Sequence, residues 1–153
     1  TATMIDKLND ILRWEWKGVV QYTQASFLVQ DVWREVYEPL FRKGADESLD
    51  HARQIGNKIV ALGGTPTVES AEVHQSTDLH EMLHQALEVE QGAVRLYSEA
   101  LELCQDDAPL RVLLENIVLE EQEGAEHLEK LLGASALAGA GRAGGPSFAR
   151  QPR

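Results

Sequence analysis

Apolar residues recur every three to four positions through most of this chain, and no stretch alternates like a half-buried strand. The pattern predicts four long helices. The first starts near Met4 behind a Thr3-x-x-Asp6 capping pattern and runs to about Val32. Leu8, Leu12, Val19, Tyr22 and Ser26 form its stripe. The second starts between Arg34 and Glu38, with Pro39 in its first turn. It carries Phe41, His51, Ile55, Ile59 and Leu62, and stops at Gly63-Gly64. The third opens at Thr77-Asp78 and carries Leu83, Leu87, Val94, Tyr97 and Leu101. Asp106-Asp107 reads as the cap of the fourth, with Pro109 in its first turn. Leu110, Leu114, Ile117, Leu128 and Leu131 follow, and the helix ends near Gly133.

Two joints are short, so the helices pair as antiparallel hairpins. The middle connection, Gly64 to Thr77, has no helical period, and its 14 residues can reach roughly 46 Å. That suffices to cross the whole bundle. The expected fold is all-α: a four-helix bundle of two antiparallel hairpins joined by a long crossover. Residues 1–132 form the bundle domain, and 133–153 an Ala/Gly-rich basic tail.

Composition narrows the function. The 153 residues carry a net charge of −11. The tail has Arg142, Arg150 and Arg153 and no acid, which leaves residues 1–132 at −14. So acidic a body repels polyphosphates, which argues against nucleic-acid binding. The tail suits an acidic partner. No apolar run reaches a membrane span, and the first residues lack a signal-peptide pattern. Cys104 is alone, which excludes an internal disulfide and a multi-cysteine zinc site and fits a cytoplasmic protein. The tryptophans Trp14, Trp16 and Trp33 read as core or subunit interface. The series Glu120, Glu123, Glu126, Glu129 reads as a solvated face.

The chain also repeats itself. Glu15-x-x-Gly18-Val19-x-x-Tyr22 matches Glu90-x-x-Ala93-Val94-x-x-Tyr97 at an offset of 75. ESLDHARQI, from Glu47 to Ile55, resembles EEQEGAEHL, from Glu120 to Leu128. Two related hairpins then pack about a pseudo-twofold axis. Glu15, His51, Glu90 and Glu121 each fall inside the apolar stripe of their own helix, at one depth. Three carboxylates in an apolar core need a cation or protons to compensate them. Three Glu and an imidazole suit iron, manganese or zinc.

Four segments, LNDILRWEWKGVVQY, LDHARQIGNKIVALGGTP, LEVEQGA and LEEQEGAEHLEKLL, resemble the ferritin-like superfamily, most closely bacterioferritins. That resemblance covers about residues 4–132. It implies a di-iron site built from one Glu on each of the first and third helices and Glu-x-x-His on each of the others. Glu15 and Glu90 match the single carboxylates. His51 matches one histidine, but its Glu partner is Ser48. Glu121 matches one Glu, but its His partner is Gly124. Glu47, four before His51, is a stand-in ligand; His127, six after Glu121, falls on another face. Leu49 stands where bacterioferritins place a haem-binding methionine, so haem is not expected.

The resemblance implies iron binding, with zinc or manganese as other metals, in a homo-oligomeric dimer or cage that stores iron. If a two-metal site forms, it implies ferroxidase activity, Fe(II) oxidation by oxygen or peroxide. The competing reading is a degenerate scaffold or interaction protein with at most one metal and no redox turnover. Tyr22 and Tyr97 are expected to orient the carboxylates.

Overall fold

A computed structural model describes residues 2–133. The helices are α1 (Ala2–Leu28), α2 (Arg34–Ala61), α3 (Leu79–Leu103) and α4 (Ala108–Leu132), with a 3₁₀ turn at Asp31–Trp33. Among the described residues there is no strand. No helix there is long and apolar enough to cross a membrane. The expected tail begins at Gly133, and all of it beyond that residue lies outside the described residues.

Three boundaries differ from expectation. Helix α1 stops at Leu28, where the backbone turns through Asp31 at φ 64°. Thr3 lies inside α1 and not at its cap. Because α2 begins at Arg34, Pro39 sits inside the helix beyond its first turn. The other caps follow the side-chain logic. Asp78 accepts from the Glu81 amide at 2.9 Å, and Asp107 from the Leu110 amide at 3.1 Å.

Helix α1 packs on α2 and on α3, and α4 packs on α3. The contacts run antiparallel. Glu15 meets His51, and nearer the α1–α2 turn a Cβ on Gly44 would press into the Tyr22 ring. Lys7 near the start of α1 pairs with Glu99 near the end of α3, 2.8 Å apart. Helices α2 and α4 approach each other sparsely, and a cleft lies between them.

Segment 62–78 is stitched along α1, so it spans the bundle as expected. Asn9 holds the Thr67 amide, and the Trp16 indole donates to the Thr67 carbonyl at 3.0 Å. Lys17 donates to the Glu72 carbonyl, and Gln21 holds the His74 amide. This covering explains why a lysine on α1 is buried. The three tryptophans do not cluster: Trp14 donates to the Val89 carbonyl on α3, Trp16 faces the crossover, and Trp33 stacks on Tyr37.

The apolar interior divides in two. One cluster centres on Leu8, Leu12, Ile55, Ile59, Leu114 and Ile117, the other on Phe41, Leu83, Leu87, Leu128 and Leu132. Buried Glu15, Ser48, His51 and Glu121 belong to neither cluster and form a polar layer at mid-bundle.

Candidate metal centre

The polar layer is built from all four helices. Glu15 on α1, His51 on α2 and Glu121 on α4 are buried, and one donor atom from each lies within 4.8 Å of the other two. His51 Nδ1 stands 2.8 Å from Glu121 Oε1 and 3.4 Å from Glu15 Oε2. Glu90 on α3 is hydrogen-bonded to Glu121, but its oxygens are not among those three converging donors.

The repeat becomes an exchange of contacts. Tyr97 on α3 donates to Glu15 on α1 at 2.6 Å, and Tyr22 on α1 donates to Glu90 on α3 at 2.7 Å. Each half of the bundle therefore orients the other half's carboxylate. Gly44 makes one of these bonds feasible, because a Cβ there would stand 2.6 Å from the Tyr22 ring.

Glu120 is exposed, as expected of a solvated face, yet its Oε2 stands 2.6 Å from His51 Nε2. Both imidazole nitrogens are thus engaged by carboxylates. The adjacent pair Glu120-Glu121 was the available signal. One of the two faces the core, and the other wraps the helix edge to the far side of the same ring.

Burial sets the electrostatics. It pushes the carboxyls of Glu15, Glu90 and Glu121 up, Glu90 well above the usual carboxylate range. For Glu15 the His51 hydrogen bond opposes the rise, and for Glu121 the Glu90 hydrogen bond does. Burial alone would push His51 down. The hydrogen bonds and charges of Glu121 and Glu15 outweigh it, and the imidazole is pushed up to about 12. The neighbouring carboxylates thus favour the charged form of His51. Burial, reinforced by the neighbouring carboxylates, keeps Tyr22 and Tyr97 as phenols.

Ser48 and Gly124, where the resemblance implies a further Glu and His, shape the rest. Ser48 is buried against α1, where a Cβ on Gly18 would collide with its hydroxyl. At Gly124 a Cβ would stand 3.1 Å from Glu90 Oε1, so the Glu90 carboxylate rests against the bare α4 backbone. A cleft of about 860 Å³ opens between α2 and α4, and its walls include His51, Glu90 and Gly124. Glu47 also lines it, 4.0 Å from Lys43, and does not join the three converging donors. His127, expected on another face, lines the cleft as well.

Donor chemistry and spacing fit a transition metal. An ion with donors at about 2.1 Å places neighbouring donors roughly 3.0–3.4 Å apart, close to the 2.8 and 3.4 Å separations around Nδ1.

Known proteins share this fold. The Ferritin-like domain family matches over residues 5–137. A bacterial ferritin of Pseudomonas aeruginosa is 29% identical over 141 residues, covering 89% of this chain and 90% of its own. A nutrient stress-induced DNA-binding protein of Nostoc sp. is 24% identical, covering 90% and 81% respectively. Among solved structures, a ferritin-like, diiron-carboxylate protein of Bacillus anthracis superposes with a TM-score of 0.83 at 30% identity, covering 86% of this chain and 96% of that one. A dodecameric thioferritin of Bacteroides fragilis shares the fold, with a TM-score of 0.78 at 24% identity over 84% of this chain and 83% of its own. With four helices in ferritin-like order and a family match over most of its length, this chain belongs to the ferritin-like domain family.

Proposed function

We propose that this chain is a ferritin-like iron-binding protein whose metal is held in the mid-bundle layer by Glu15, His51 and Glu121. The convergence of these three buried donors within 4.8 Å carries the reading. Two carboxylates and an imidazole suit iron, and also manganese and zinc. Metal would bind at His51 Nδ1 and release the proton held there, while Glu120 keeps its bond to Nε2. Tyr97 holds the Glu15 carboxylate in place.

Iron oxidation or storage within a homo-oligomer extends this reading by analogy with the bacterial ferritins. Exposed Phe27, Val32 and Val36, around the α1–α2 turn, support self-association. A scaffold role with reduced redox turnover is favoured by one observation, the loss of ligand side chains at Ser48 and Gly124.

The test is metal content. Apo protein is loaded with Fe(II) under anaerobic conditions, desalted and assayed beside Glu15→Ala and Glu121→Ala. Retained metal in the parent and its loss in both variants are expected. Equal metal in all three proteins would sink the assignment.

A further inference from the structure

We infer that the bundle holds one metal ion and not a pair, with a coordination position open to the α2–α4 cleft. This rests on the metal-binding reading above and narrows it. Among the described residues, Glu15, His51 and Glu121 are the only group of three or more such donors that converges. A second ion beside the first would need a second group of converging donors, and among the described residues none is found. The Ser48 hydroxyl is packed against α1, and Gly124 offers no side chain. Glu90 is already engaged, accepting from Tyr22 at 2.7 Å and bonding to Glu121. One carboxylate with both neighbours committed is a poor site for an ion that takes four or more ligands.

The cleft lies beside Gly124. It has a volume of about 860 Å³, and its walls include both His51 and Glu90. With only three protein donors, the ion keeps at least one position for an outside ligand. Glu47, Asp50, Glu120 and Glu123 line the cleft around a single lysine, Lys43. That charge admits cations and neutral molecules and repels anions. The ligands implied are one divalent transition-metal ion and one small neutral donor, such as water or an imidazole.

The experiment uses the full chain, stripped of metal. Equilibrium dialysis with Mn(II) and with Co(II) gives stoichiometry, and electron paramagnetic resonance of the manganese form tells an isolated ion from a coupled pair. One ion per chain with an isolated-ion spectrum is expected. Imidazole should shift the visible spectrum of the Co(II) form. Two ions per chain, or a coupled spectrum, would overturn the single-ion inference and leave the metal-binding reading intact. A Co(II) spectrum unmoved by imidazole would overturn the open position. No bound ion in either the parent or Glu15→Gln would end both readings.

Discussion

Helices α1 and α3 meet as near equals, whereas α2 and α4 do not. Between α1 and α3 the phenol–carboxylate contacts are reciprocal: Tyr97 to Glu15 and Tyr22 to Glu90. Between α2 and α4 the exchange is unequal. Helix α2 contributes His51 without a carboxylate partner at 48, and α4 contributes Glu121 without a histidine at 124. The symmetric pair positions carboxylates and would serve any ferritin-like bundle. The unequal pair decides how many ions find enough donors. Frame and chemistry have thus diverged within one repeat.

The largest effect should come from the unequal pair. His51→Ala removes the only imidazole among the three converging donors. Loss of an outer partner of a metal ligand typically costs about 10–100-fold in affinity, so loss of the ligand itself should cost at least ~100-fold. Glu90→Gln alters only an outer partner of Glu121 and should cost less, about 10-fold. Competition dialysis of Co(II) against a chelator checks both. Equal losses in the two variants would show the layer to be symmetric in function as well as in origin.

Adding the missing side chains should make α2 and α4 equal again. Ser48→Glu with Gly124→His is expected to raise the rate of Fe(II) oxidation, followed by absorbance under oxygen. The change carries a structural cost. A Cβ at 124 must displace the Glu90 carboxylate from 3.1 Å, and a glutamate at 48 must turn away from Gly18. Flexible carboxylate ends can shift, so folding should survive. An oxidation rate equal to the parent's would mean that donor count is not what limits turnover.

Without metal, the polar layer also makes stability depend on pH, and the sign can be worked out. Glu15, Glu90 and Glu121 all have folded values raised above their ordinary 4.5. Their cost to folding is absent below that value and grows above it. His51 is raised from 6.5 to about 12. Its stabilising share is complete below 6.5 and declines as pH rises toward the folded value. Both contributions point the same way, so the metal-free protein should lose melting temperature between about pH 5 and pH 8. Added Co(II) should reverse the trend, because deprotonated ligands bind it better. Thermal scans with and without metal test this. A metal-free melting temperature that rises across that range would contradict the assignment of charge in the layer.

Much of this was legible in the residues. The three-to-four spacing of Leu8, Leu12, Leu83, Leu114 and Ile117 marked the buried faces, and Gly63-Gly64 marked the start of the crossover. Charged residues inside those stripes marked mid-bundle, because helical spacing fixes face and depth together. Long-range contacts were not legible. Glu120 and Glu123 are both exposed and differ locally only in that Glu120 adjoins Glu121, yet the ring on α2 reaches only the first. Lys17 looks like surface until the crossover is laid over it. The early end of α1 depends on the φ 64° turn at Asp31, which the apolar pattern of 26–32 does not announce. The cleft is walled in part by Gly124, and hydrophobic patterning does not register a missing side chain.

The smallest expected effect lies within the symmetric pair, and it tests whether equal contacts have equal consequences. Tyr97→Phe removes the donor to Glu15, one of the two carboxylates among the three converging donors. Tyr22→Phe removes the donor to Glu90, which stands apart from that set. Both leave a buried or partly buried carboxylate short of one hydrogen bond, a loss of about 1–3 kcal/mol in stability. The stability losses should therefore be similar in the metal-free protein. Metal affinity should separate the two. Without its phenol, Glu15 keeps the 3.4 Å contact to His51 but loses the bond that fixes its orientation. Co(II) affinity should fall several-fold in Tyr97→Phe and hold nearly constant in Tyr22→Phe. Denaturant melts and chelator competition on the same preparations give both quantities. If affinity falls equally in the two variants, Glu90 is a ligand in its own right, and α1 and α3 serve two ions in the same way.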